Sequence, residues 1–291
     1  MADKEYISKV SNEINKWEEE SPGFLSSISD LILSPAQMAA ELMIPDSVLK
    51  TISKATEGCL NALLWGADYT FSDEGVLTTV RERNNSLINL KAVYDSDDLE
   101  SMDLAADSYW NQNLVAAIAQ GGVTGAVGLL GLATNLPALY TVVFRCIQQI
   151  ALCYGFDTSK DEEKVFILGV LSIASASDVA SKQAAMVFMR QIQVDIAKKT
   201  WKKLAEEGGR ASIGPLVKQA AKTIGVNITK RKALMLIPAI GALVGASFDG
   251  MYLQDIARAA KNCYRKRKIE KMDFSIKDLD SDQPSIFDFI S

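Results

Sequence analysis

Between Asp107 and Arg145 lie the 37 residues Ser108 to Phe144, which carry no charged side chain and include Gly121, Gly122, Gly125, Gly128 and Gly131. So long an uncharged stretch must be buried in a core, lie in lipid, or move between the two. The surrounding chain limits the choice. Of its 291 residues 48% are hydrophobic and 23% charged, with a mean hydropathy of +0.07, a globular composition far too polar for a polytopic membrane protein. The length suits one large domain or two small ones.

Composition also excludes chemistry. There is no histidine, which removes the commonest general base, the Ser/His/Asp and Cys/His couples and most zinc sites. Cys59, Cys146, Cys153 and Cys263 form no CxxC and read as reduced thiols of an intracellular protein. Cys146 and Cys153 are seven apart, on one helix face, and suit small core residues better than a metal site. No P-loop, GxGxxG or GxSxG occurs. Glu18-Glu19-Glu20 and Asp161-Glu162-Glu163 read as solvated helix ends, not as a paired acid and base. Neither catalysis, a cofactor nor a metal is expected. A net charge of −5 argues against nucleic acid, and MADKEYISKV lacks the apolar region of a secretory signal.

Periodicity predicts helices almost throughout. Ile7, Val10, Ile14 and Trp17 share a face, and Ser21-Pro22-Gly23 stops that helix. Ser34-Pro35 with Gln37 reads as a capped helix start. Asp46 and Ser47 open a helix carrying Leu49, Ile52, Cys59, Leu60 and Leu63 on one side. A polar connector over 81–98 ends in caps at Asp97 and Asp98. In the uncharged run, 114–132 reads as a small-residue helix and Pro137 as the start of the next, which Gly155 ends. Further helices are expected over 161–177, over 178–207 until Gly208-Gly209, and from Asp249 to about Lys271. No segment alternates with a period of two.

Two features bear on function. GxxxG spacings at Gly121/Gly125 and Gly241/Gly245 give flat helix strips, suited to membrane-inserting pairs or to close packing in a soluble core. Basic residues flank the second apolar run: Lys230, Arg231 and Lys232 before it, and Lys261, Arg265, Lys266, Arg267, Lys268 and Lys271 after it. They could hold a helix on an anionic leaflet or simply end a solvated helix. As a span, the helix over 136–154 would put Arg145 near mid-membrane, at about 2.5–3.5 kcal/mol, so a hidden or interfacial hairpin fits better.

Three stretches resemble the EcsC protein family in order and spacing: GLLGLATNLPALYTVVFRCIQQIALCYGFD (Gly128 to Asp157), EEKVFILGVLS (Glu162 to Ser172), and Ile224 to Ala260 with its ITKRKALMLIPAIGALVGASFDGMYLQDIARAA. The resemblance covers about 45–270. Thr134 and Asn135 stand where relatives carry an acidic residue before the leucine-proline pair, and Asp249 where asparagine is more usual. The family implies a cytoplasmic or membrane-associated bacterial protein and supplies no catalytic residues.

The expectation is an all-α protein, a multi-helix bundle with glycine-rich apolar helical hairpins. It comprises an N-terminal helical appendage (1–30), a main domain (31–272) and a flexible acidic tail (273–291). It would be cytoplasmic, peripheral to or conditionally inserted in the inner membrane. Its partner would be membrane lipid, with a protein partner or self-association left open. The functional alternatives are a transport adaptor, a membrane-disrupting effector and a carrier of an apolar ligand such as a lipid.

Overall fold

The computed structural model describes residues 4–23, 44–65, 71–124, 128–197, 210–235 and 248–280. Among them are ten helices and no strand: α1 (Lys4–Glu19), α2 (Asp46–Trp65), α3 (Asp73–Arg83), α4 (Leu90–Asp95), α5 (Leu99–Thr124), α6 (Gly128–Cys153), α7 (Asp161–Ala174), α8 (Val179–Ala197), α9 (Arg210–Met235) and α10 (Phe248–Asp280). The all-α reading holds.

Helix starts follow side-chain capping. Ser72 and Asn89 accept from the backbone N–H groups of Gly75 and Ala92 at the starts of α3 and α4. Asp98 and Asp178 do the same for Ser101 and Ser181 ahead of α5 and α8. Gly155 ends α6 in the left-handed region at φ 85°, where a Cβ would also lie 2.4 Å from the Tyr94 backbone nitrogen. Only glycine fits both constraints.

α6 is the central element, touching α2, α3, α5, α7, α9 and α10. Leu136, Leu139, Tyr140, Val143, Phe144, Ile147, Ile150 and Leu152 are buried on all sides of it, as expected of a helix apolar all round. Among the described residues one helical stretch, Ala133–Cys153, is long and apolar enough to cross a membrane, and 72% of its most apolar window is buried in the protein. Arg145 is not stranded: its Nε donates to Asn113 Oδ1 at 2.8 Å, and Asn113 donates to Gln149 at 2.8 Å, tying α6 to α5.

Several boundaries differ from expectation. Pro137 lies inside α6 and does not start it. Without an N–H it leaves the Ala133 carbonyl without that helical bond, and packing against six neighbours carries the helix through. α5 starts at Leu99, ahead of the uncharged run. The connector contains α4, and α10 runs past residue 272 to Asp280. α1 joins the common core through Val10, Ile14 and Trp17. The start at Ser34-Pro35, the stop at Gly208-Gly209, most of the second apolar run and residues 281–291 of the tail lie outside the described residues.

Candidate functional site

Most of the basic residues that flank the second apolar run face carboxylates and carbonyls of their own chain. Arg231 is buried, ion-pairs with Asp255 and donates to the Ala174 carbonyl at 2.8 Å. Lys261 meets Asp107 at 2.5 Å, Lys266 meets Glu18 at 2.6 Å, and Arg267 meets Glu163 at 2.7 Å. The Arg267 guanidinium also lies between two rings, 4.4 Å from the Phe156 centroid and 4.6 Å from that of Phe166. Lys268, fully buried, donates to the carbonyls of Val93 and Tyr94 at the end of α4, where the helix dipole favours a cation. Lys271 donates to the same Tyr94 carbonyl. Half-buried Lys232 sits 4.9 Å from the Phe248 ring centroid, and half-buried Lys230 lies near Asp178.

As a set, Lys230, Arg231, Lys232, Lys261, Arg265, Lys266, Arg267 and Lys268 therefore form no shared outward surface for lipid headgroups in this conformation. The reason is the location of α10: it packs against α1, α5, α6 and α7, so its cations meet that core and need partners there. The acidic runs answer them. Glu18 and Glu20 pair with Lys266 and Arg258, and Glu163 is buried against Arg267, so neither run is merely a solvated helix end. Burial pushes the Glu163 carboxyl up, and Arg267 opposes this.

The tightest cluster surrounds Asp103 of α5. It accepts Arg265 Nε at 2.8 Å and the Arg265 Nη2 at 2.5 Å, together with the hydroxyls of Tyr6 at 2.6 Å and Tyr154 at 2.5 Å. Arg265 also reaches Glu13 at 3.1 Å. Helices α1, α5 and α10 and the turn that follows α6 thus converge on one carboxylate whose four acceptances saturate it. Burial, followed by Asp103, raises the pKa of Tyr154. With Asp103 only 2% exposed, the arrangement locks helices together and leaves no face for a substrate.

Other reactive groups are similarly enclosed. Burial pushes the Cys146 and Cys263 thiols up to about 12 and Cys153 up as well, so they remain protonated at neutral pH. Burial, then the neighbouring Lys271, pushes Lys268 down to about 7. Among the described residues no three His, Cys, Asp or Glu side chains gather as metal ligands.

Among the described residues, two open surfaces bear on function. On the α5–α6 hairpin, Val115 is 69% and Ile118 48% exposed, and Asn111, Gln112, Ala119, Thr134, Pro137 and Ala138 are further exposed residues of the uncharged run. This surface carries no charge. Gly121 lies in the last turns of α5, whereas Gly125, Gly241 and Gly245 lie outside the described residues, and with them both GxxxG pairs. The second surface is a groove of about 730 Å³ between α2 and α9, bordered by Lys50, Lys54, Lys218 and Lys222. The sequence reading missed this groove and the Asp103 cluster. The paired i,i+4 spacing of its lysines was the available signal for the groove; the cluster had none.

The sequence profile of the EcsC protein family matches residues 8–269. The chain belongs to this family. It is 27% identical over 272 residues to the uncharacterized protein YdbA of Bacillus subtilis (strain 168), covering 91% of this chain and 94% of that one. It is 24% identical over 229 residues to Protein EcsC of the same organism, covering 78% and 89%. No solved structure matches. Asn135 Nδ2 of α6 donates to Asp249 Oδ2 of α10 at 2.9 Å. An acid and an amide exchanged across this contact would keep the hydrogen bond.

Proposed function

We propose that this EcsC-family protein acts at a membrane surface and meets the bilayer with the uncharged α5–α6 hairpin. The exposed hairpin face carries the reading: Val115 and Ile118 are exposed on the part of α5 that lies within the charge-free run. An uncharged apolar surface of this kind marks an interaction site, and shallow insertion of one helix face requires no spanning segment. α6 suits this role, because a largely buried apolar helix supports the hairpin from within and leaves only its rim to lipid. Headgroup attachment through α10 has no part in it, since those cations are occupied.

Flotation of the full chain with anionic vesicles tests the proposal. The protein should float, and Val115→Asp with Ile118→Asp should return it to the bottom fraction without changing its thermal unfolding. Unchanged flotation of that variant rejects the hairpin as the contact. If the wild type fails to float and instead runs as a dimer that the same substitutions dissociate, the face joins two copies of this chain. Release of an entrapped dye would favour the membrane-disrupting version over the adaptor.

A further inference from the structure

α2 and α9 lie against one another along much of their length. They approach closely where Gly225 faces Ser53; a Cβ on that glycine would stand 2.7 Å from Ser53 Cα. Beside this contact the helices part into the groove of about 730 Å³, whose apolar walls include Leu49, Pro215 and Val226. That volume falls within the roughly 300–1,000 Å³ of small-molecule sites.

The rims are cationic. Lys50 and Lys54 stand one turn apart on α2, as do Lys218 and Lys222 on α9, and all four are exposed. No ion pair engages any of them among the described residues, in contrast to the cations of α10. Asp46 and Glu57 also line the groove, leaving two positive charges in excess locally on a chain of net charge −5. Like charges four apart on a helix repel, so each pair is an energetic cost that a bound anion would relieve. Lysine suits such a rim, because its methylene stem extends the apolar wall while its ammonium reaches solvent.

We propose that the groove binds a single-chain anionic amphiphile, a long-chain fatty acid whose hydrocarbon lies along the α2–α9 walls and whose carboxylate meets the lysines. Binding is noncovalent and requires no movement of the core. The site is separate from the hairpin face and does not depend on the hairpin meeting a bilayer.

Titration of the full chain with the fluorescent fatty acid cis-parinarate tests the proposal. Saturable one-to-one binding is expected, displaced by palmitate but not by dodecyltrimethylammonium. Charge reversal at the rim (K50E, K54E, K218E, K222E) should weaken binding by about tenfold or more. Leu49→Trp, which fills the groove and leaves the lysines in place, should weaken it comparably. The hairpin variant Val115→Asp with Ile118→Asp should bind as the wild type does, which separates this site from the membrane reading. Circular dichroism would confirm the fold of each variant, and alanines at the four lysines replace any variant that misfolds. Absence of saturable binding, undiminished binding after charge reversal, or equal displacement by the cationic detergent would overturn the proposal. So would charge reversal that abolishes vesicle flotation in a chain that binds no monomeric fatty acid.

Discussion

Two groups of cations in this molecule differ in nearly everything except charge. Those of α10 from Arg258 to Lys271 are buried or half-buried and face carboxylates, carbonyls and aromatic rings across α1, α4, α5 and α7. The four lysines bordering the α2–α9 groove are exposed and have no ion-pair partner among the described residues. A dense run of lysine and arginine in sequence thus marks where an acidic protein neutralises its own interior, whereas a sparser pair of lysine steps marks its open surface. The density of basic residues does not indicate their direction; the packing of the helix that bears them does.

The contrast can be broken at its strongest point. Asp103→Ala leaves Arg265 buried without its carboxylate and should cost about 3–5 kcal/mol in denaturant unfolding. Combining it with Arg265→Met should restore much of that loss, and failure to do so would mean that the cluster is more than a mutually neutralising pair. Arg267→Leu strands Glu163, whose side chain is 4% exposed, and should cost about 2–3 kcal/mol.

Lys268 sharpens the comparison through pH. Its folded pKa, about 7, lies below the ordinary 10.5, so the unfolded chain holds this proton more tightly. The cost of burying the ammonium is therefore fully present below pH 7 and is relieved as pH rises toward 10.5. Across that window the wild type should gain stability relative to Lys268→Met by at least the roughly 1.4 kcal/mol that one pKa unit represents. A constant difference between the two, measured by urea unfolding at several pH values, would show the lysine to be charged throughout. At the small end, Lys50→Ala with Lys222→Ala should shift stability by no more than about 0.5 kcal/mol; a larger loss would mean that the groove lysines also hold the fold.

Local rules made much of the fold legible. The faces of α1 and α2, the cap at Asp98 and the glycine stop at Gly155 each depend on neighbours within a turn or two. Pro137 misled because the local rule for proline was outweighed by burial of α6 on every side. α4 escaped because six residues give too little periodicity. The candidate surfaces were less legible. The uncharged hairpin was visible as composition, but Asp103 and Arg265 are 162 positions apart, and no spacing rule connects them. The inward turn of the α10 cations was hidden for the same reason: their partners come from distant helices, so the sequence displayed a charge cluster without its counterpart.

That separation has a consequence for the order of events at synthesis. Helices α5 and α6 emerge from the ribosome long before α10, so for much of translation Asp103 lacks its guanidinium and the greasiest helix lacks one of its covers. A message truncated upstream of residue 265 would yield a chain with an unanswered carboxylate beside a bare apolar hairpin, prone to clump or to stick to the nearest bilayer. Completion of the last helix is thus the step that makes the earlier ones safe in water.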